Sequence, residues 1–201
     1  MYKSYYVKMT SCVKGELIEF FFTGLEEMYL SLLTEDEYAQ YCDNINSVKR
    51  SLCHDRAIGT ITEDGVWYAV FDNNGVDMNN VQTSVRRFAP SFTNSEIDTF
   101  KAPQGTSYVL NAKDTPSDGS MIQYWKEHQH ANSKINLNNK TFRCPSCGKT
   151  VKTSDLHGAH VIKTTQPNGT LYITPTCDSC NTSKINRIFK VDTIELVKAP
   201  K

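Results

Sequence analysis

Apolar positions change period along the chain, and the changes mark its elements. Residues 2–8 and 15–22 carry Tyr, Val, Ile and Phe at strand-like density with Gly15 between them, which predicts a β-hairpin or two neighbouring strands. Gly24 breaks that pattern. From Thr34 the period lengthens. Thr34 and Glu37 have the spacing of a capping box, and Tyr38, Tyr41, Cys42, Ile45, Val48 and Leu52 recur every three or four residues, one face of a helix. Residues 56–62 and 66–71 flank Glu63-Asp64-Gly65 and read as a second hairpin, closed by Asn73-Asn74-Gly75. A short helix is expected over 77–87, another from Asn94 to Phe100, and a strand over 107–111. A longer helix is expected over 120–132, carrying Met121, Ile122, Trp125 and His128. Residues 133–139 are polar and rich in Asn, the composition of a linker.

Beyond that stretch the pattern predicts strands at 155–163 and 170–174, joined through Gln166-Pro167-Asn168-Gly169. A helix should follow from Asp178 or Asn181, holding Ile185, Ile188 and Phe189 on one side. The expected fold is therefore α+β: an antiparallel-sheet domain over residues 1–138 and a small module over 139–201.

Chemistry concentrates in the module. Cys144-Pro-Ser-Cys147 and Cys177-Asp-Ser-Cys180 are two C-x-x-C pairs. Each places two thiolates on a tight turn where they reach one ion from the same side, and two pairs complete a tetrahedral all-cysteine zinc site. Their separation exceeds that of a minimal zinc ribbon by about one hairpin, and a hairpin is what the intervening residues predict. Cys12, Cys42 and Cys53 are scattered and read as ordinary thiols.

Charge divides the same way. The 201 residues have zero formal net charge, yet residues 139–201 hold ten Lys and Arg against four Asp and Glu. A basic module suggests a polyanion as partner, or else neutralisation by the acidic remainder of the chain. No apolar run is long enough to span a membrane, and Met-Tyr-Lys-Ser-Tyr-Tyr lacks the apolar core of a secretion signal, so the expected location is cytoplasmic. The first 138 residues show no defensible chemical motif. His54-Asp55 reads as a cap, His128 and His130 point to different helix faces, and Arg86-Arg87 reads as a solvated pair.

Gly158-Ala159-His160-Val161-Ile162, Pro175-Thr176-Cys177 and Cys180-Asn181-Thr182-Ser183-Lys184 resemble the HNH, or His-Me finger, nuclease family over about the last third of the chain. Many of its members carry the same two C-x-x-C pairs as a clamp on a ββα fold. The resemblance implies metal-dependent endonuclease action, the hydrolysis of phosphodiester bonds in DNA or RNA. His160 would be the base and Asn181 the helix ligand of a second divalent ion, Mg²⁺, Mn²⁺ or Ni²⁺. Ala159 stands where the family usually has Asp or His, and Tyr172 where it has its middle Asn. His157 or Asp155 replaces the missing ligand if Gly158 makes a bulge that re-aims the strand. Lys163, Lys184, Arg187 and Lys190 would contact nucleic acid. The alternative is a catalytically inactive zinc module that binds nucleic acid or protein.

Overall fold

The computed structural model describes residues 4–75, 78–99, 102–112, 120–166, 169–182 and 187–200. The chain forms two compact units, Met1–Arg87 and Phe88–Lys201. Both are α+β, with antiparallel strand pairing and few, short helices.

The first unit holds β1 (Tyr5–Cys12), β2 (Leu17–Thr23), β3 (Met28–Thr34), α1 (Glu35–Asp43), β4 (Ser51–Cys53), β5 (Arg56–Thr60), β6 (Gly65–Asp72) and, up to its last residue, β7 (Gln82–Phe88). One set of strands runs β1-β6-β3-β4 and another β7-β2-β5. Strand β6 is apolar on both faces, as a covered central strand must be. Trp67, Ala69 and Phe71 face a core shared with Met9, Ile18, Phe20 and Phe22. Tyr68 and Val70 point the other way and pack with Leu33 and with Tyr41 of α1. The capping box starts α1: the Thr34 backbone N–H donates to Glu37 at 2.9 Å and the Glu37 N–H donates to the Thr34 hydroxyl. The helix ends at Asp43, because the Asn44 side chain accepts from the Asn46 N–H and turns the chain.

Three expectations for this unit change. Strands β1 and β2 do not form a hairpin: β1 pairs with β6 and β2 with β5. A register irregularity between Met9 and Cys12, with Ser11 at φ 55°, redirects the chain between them. Strands β5 and β6 are likewise not partners. The helix expected over 77–87 is, over its described residues, a turn followed by strand β7 from Gln82, its side chains alternating in exposure with a period of two. Arg87 is buried rather than solvated. Its Nε donates to the buried Glu16 carboxylate at 3.1 Å, and its terminal nitrogens to the carbonyls of Thr10 and Ser11.

The second unit holds α2 (Asn94–Thr99), β8 (Thr106–Asn111), α3 (Ser120–His128), β9 (Thr141–Arg143), β10 (Thr150–Lys152), β11 (Leu156–Lys163), β12 (Tyr172–Cys177), α4 (Asp178–Asn181), β13 (Arg187–Asp192) and β14 (Val197–Lys198). Five strands lie in the order β14-β12-β11-β8-β13, while β9 and β10 form a separate antiparallel ribbon. Helix α3 packs on β11 and β12. Trp125 is fully buried there with Ile173 and Val197, and its indole N–H donates to the Glu195 carbonyl at 2.9 Å. Gly158 permits the approach: a Cβ there would lie 2.5 Å from the Met121 carbonyl carbon.

The chain divides between Arg87 and Phe88, not at residues 133–139. Strand β8 pairs with both β11 and β13, which ties residues well before 139 into the cysteine-bearing unit. The Asn-rich stretch is itself anchored. The buried Glu195 carboxylate accepts from the Ser133 hydroxyl at 2.6 Å and from the Lys134 N–H at 2.7 Å. The expected C-terminal helix shrinks to the four residues of α4, and Ile188 and Phe189 lie on β13, opposite Leu110 and Val109. Ile188, Phe189 and Val191 favour a pleated, buried surface, and β8 supplies the partner. Among the described residues, no helix is long and apolar enough to cross a membrane.

Candidate metal centre

Four cysteines converge at one end of β11 and β12. The first pair sits in the turn between β9 and β10. There Gly148 adopts φ 73° and donates its N–H to the Cys144 carbonyl at 2.8 Å, and Cys144 donates to the Lys149 carbonyl at 2.9 Å. This folds Cys144 and Cys147 onto the same side. Cys177 closes β12 and Cys180 lies three residues on in α4, the spacing that puts two side chains on one helical face. All four sulfurs lie within 4.8 Å of one another and all four residues are buried. The Cys147 and Cys177 sulfurs are 3.7 Å apart. Four thiolates about 2.3 Å from a central zinc ion would stand about 3.8 Å apart, so the cluster has the size a tetrahedral site requires. Seven cysteines are present and none is in a disulfide.

The surroundings shift the sulfurs in opposite directions. The Cys177 N–H points at the Cys144 sulfur, 3.4 Å away. The four thiols hold their protons unequally: hydrogen bonds to Cys147, Cys177 and Cys180, and burial, push Cys144 far above the usual thiol range. Donation from Cys144 and then Cys147 pulls Cys177 far below it. A cation held by these four sulfurs would favour the thiolate at every position.

Arg187 belongs to this centre and not to an outer surface. It is buried, and its Nη1 donates to the Cys180 sulfur at 3.5 Å and to the Ser146 carbonyl at 3.4 Å. Four thiolates around a divalent cation carry a net charge of about −2, and a guanidinium beside them offsets half of it. Asn111 of β8 braces the same corner, its side-chain amide donating to the Cys180 carbonyl at 2.6 Å. Sequence reasoning missed Asn111 and Ser146, and misassigned Arg187. Nothing in a lone basic residue seven positions after a cysteine tells a buried partner from a surface contact.

The remaining expected site residues separate. His157 and His160 lie on β11 in an unbroken register with β12, from Leu156 opposite Cys177 to Val161 opposite Tyr172. Gly158 therefore makes no bulge, and positions 157 and 160, differing in parity, fall on opposite faces. His160 shares the face of Gly158, the one α3 covers, and its carbonyl accepts from the Ala112 N–H at 2.9 Å. His157 meets Asp178 at 3.6 Å, both well exposed. Asn181 ends α4, and Asp155 is exposed beside Ser154. Among the described residues, the four cysteines are the one group of three or more His, Cys, Asp or Glu side chains close enough to share an ion.

Of the expected nucleic-acid contacts, Lys190 is engaged by Glu96 at 2.8 Å. Burial alone would raise the Glu96 carboxyl, but Lys190, the Tyr108 hydroxyl and Thr93 hold it down at about 2. Lys163 lies over the Tyr172 ring, 4.9 Å from its centre. Lys184 falls outside the described residues. No protein-family model, curated protein or solved structure matches the chain.

Proposed function

We propose that the second unit is a zinc-stapled nucleic-acid-binding module of HNH-like build that does not cleave its partner. Zinc suits four buried thiolates in a tetrahedron, and a reducing cytoplasm keeps such thiols available. The HNH-like motif and the basic balance of residues 139–201 support nucleic acid as partner. The observation that carries the non-catalytic reading is the unbroken β11–β12 register. A hydrolytic metal needs a base and at least two ligands around one cavity. The register places His157 and His160 on opposite faces, and Ala159 between them offers a methyl group with no lone pair.

The test is cleavage of plasmid DNA and of RNA by the purified chain with Mg²⁺, Mn²⁺ or Ni²⁺, beside a His160→Ala variant. Wild type and variant should leave both nucleic acids intact and shift them equally in a gel. Metal-dependent cleavage that His160→Ala abolishes would overturn the non-catalytic reading and restore the endonuclease.

A further inference from the structure

The ribbon that carries the first cysteine pair has one basic face. Strands β9 and β10 alternate exposed, half-buried, exposed, and their register sets Arg143 opposite Thr150 and Lys152 opposite Thr141. All four therefore share the outward face, while Phe142 and Val151 turn inward. Lys140 and Lys149, both exposed, stand at the two ends. Residues 140–152 hold four basic side chains and no acidic one. The Arg143 guanidinium is not loose: its Nε donates to the Gly148 carbonyl at 3.2 Å, which ties it to the metal-binding turn.

We infer that this outer face of the β9–β10 ribbon is the docking surface for a nucleic-acid phosphate backbone. Arg143 and Lys152 are its central contacts, with Lys140 and Lys149 at the ends. The outward side chains of the ribbon are cations and hydroxyls, with no carboxylate among them. That set complements a partner made of acceptors alone, and Arg, Lys and Thr are the side chains that position proteins on phosphates. An acidic protein surface presents donors among its carboxylates, and the Thr141 and Thr150 hydroxyls are the only side-chain acceptors this outer strand face offers them. Arg143 and Lys152 sit diagonally across the ribbon, two residues along and one strand over, about 8 Å apart at the backbone. Their long stems span adjacent phosphates from there. The metal site holds the ribbon rigid, so the face is ordered before the partner arrives.

This inference rests on the nucleic-acid reading proposed above, and one titration separates their failures. The full chain is titrated with a short labelled DNA duplex, a single-stranded RNA and polyglutamate, at about 50 and about 200 mM salt. Wild type should bind a nucleic acid more tightly than polyglutamate and lose affinity with salt. Arg143→Glu with Lys152→Glu should remove two phosphate contacts, making the log–log salt slope on the duplex shallower by about 1.8. That corresponds to a salt effect about tenfold smaller between the two conditions. Arg143→Lys with Lys152→Arg keeps the charges and should keep the binding. Unchanged zinc content and melting midpoint would show that each variant is folded. Wild type that binds neither nucleic acid overturns the functional reading itself, as does binding to polyglutamate with equal strength. Tight wild-type binding that survives the double charge reversal overturns this surface alone.

Discussion

Cys177→Ser should abolish metal binding and unfold the corner where β12 meets α4. A serine hydroxyl stays protonated near neutral pH and does not replace a thiolate on zinc. Cys177 is also placed to matter most. It ends β12, caps α4, and its N–H reaches the Cys144 sulfur, so it links both halves of the cluster. Structural zinc contributes about 10–16 kcal/mol in zinc-finger peptides, against the 5–15 kcal/mol total stability usual for a domain. The loss therefore exceeds what the remaining packing of this corner supplies. Hydrogen exchange should show protection lost across β9, β10 and α4, and metal analysis should find no zinc. A variant that keeps both its zinc and its protection would refute the assignment.

Trp125→Ala should be the most damaging change outside the cluster. The indole is fully buried between α3 and the β11–β12 pair, and it is the largest fully buried side chain. Truncating such a residue costs about 3–5 kcal/mol, from lost transfer free energy and from the cavity left behind. It also strips the buried Glu195 carbonyl of its donor. The Glu195 carboxylate anchors Ser133 and Lys134, so the strain reaches the stretch leading to the metal ribbon. Thermal melting should show a fall of about 10 °C or more, with Trp125→Phe falling less because most of the volume is kept. A shift of only a degree or two with alanine would mean that α3 contributes little to holding β11 and β12.

The four-cysteine cluster is readable because its signal is local: two C-x-x-C pairs report their own geometry whatever surrounds them. The capping box at Thr34 and Glu37, strand β11 and helix α3 were readable for the same reason. Strand partners were not. Glu63-Asp64-Gly65 has hairpin chemistry, yet β5 joins β2 and β6 joins β1 and β3, because burying both faces of β6 outweighs the local turn. Ile185, which lies outside the described residues, Ile188 and Phe189 have helical spacing, yet Ile188 and Phe189 lie on strand β13. Pairing with β8, a strand some eighty residues earlier, decides the matter. The basic residues show the same limit. Arg187, Lys190 and Lys152 look alike in sequence, but one faces a sulfur, one a carboxylate and one solvent.

Everything proposed for the second unit depends on the four cysteines holding an ion. Elemental analysis together with X-ray absorption at the zinc edge, on protein purified without chelator, tests that directly. The account predicts one zinc per chain with four sulfur neighbours at about 2.3 Å. Protein free of zinc, or a zinc with nitrogen or oxygen among its nearest neighbours, would contradict it.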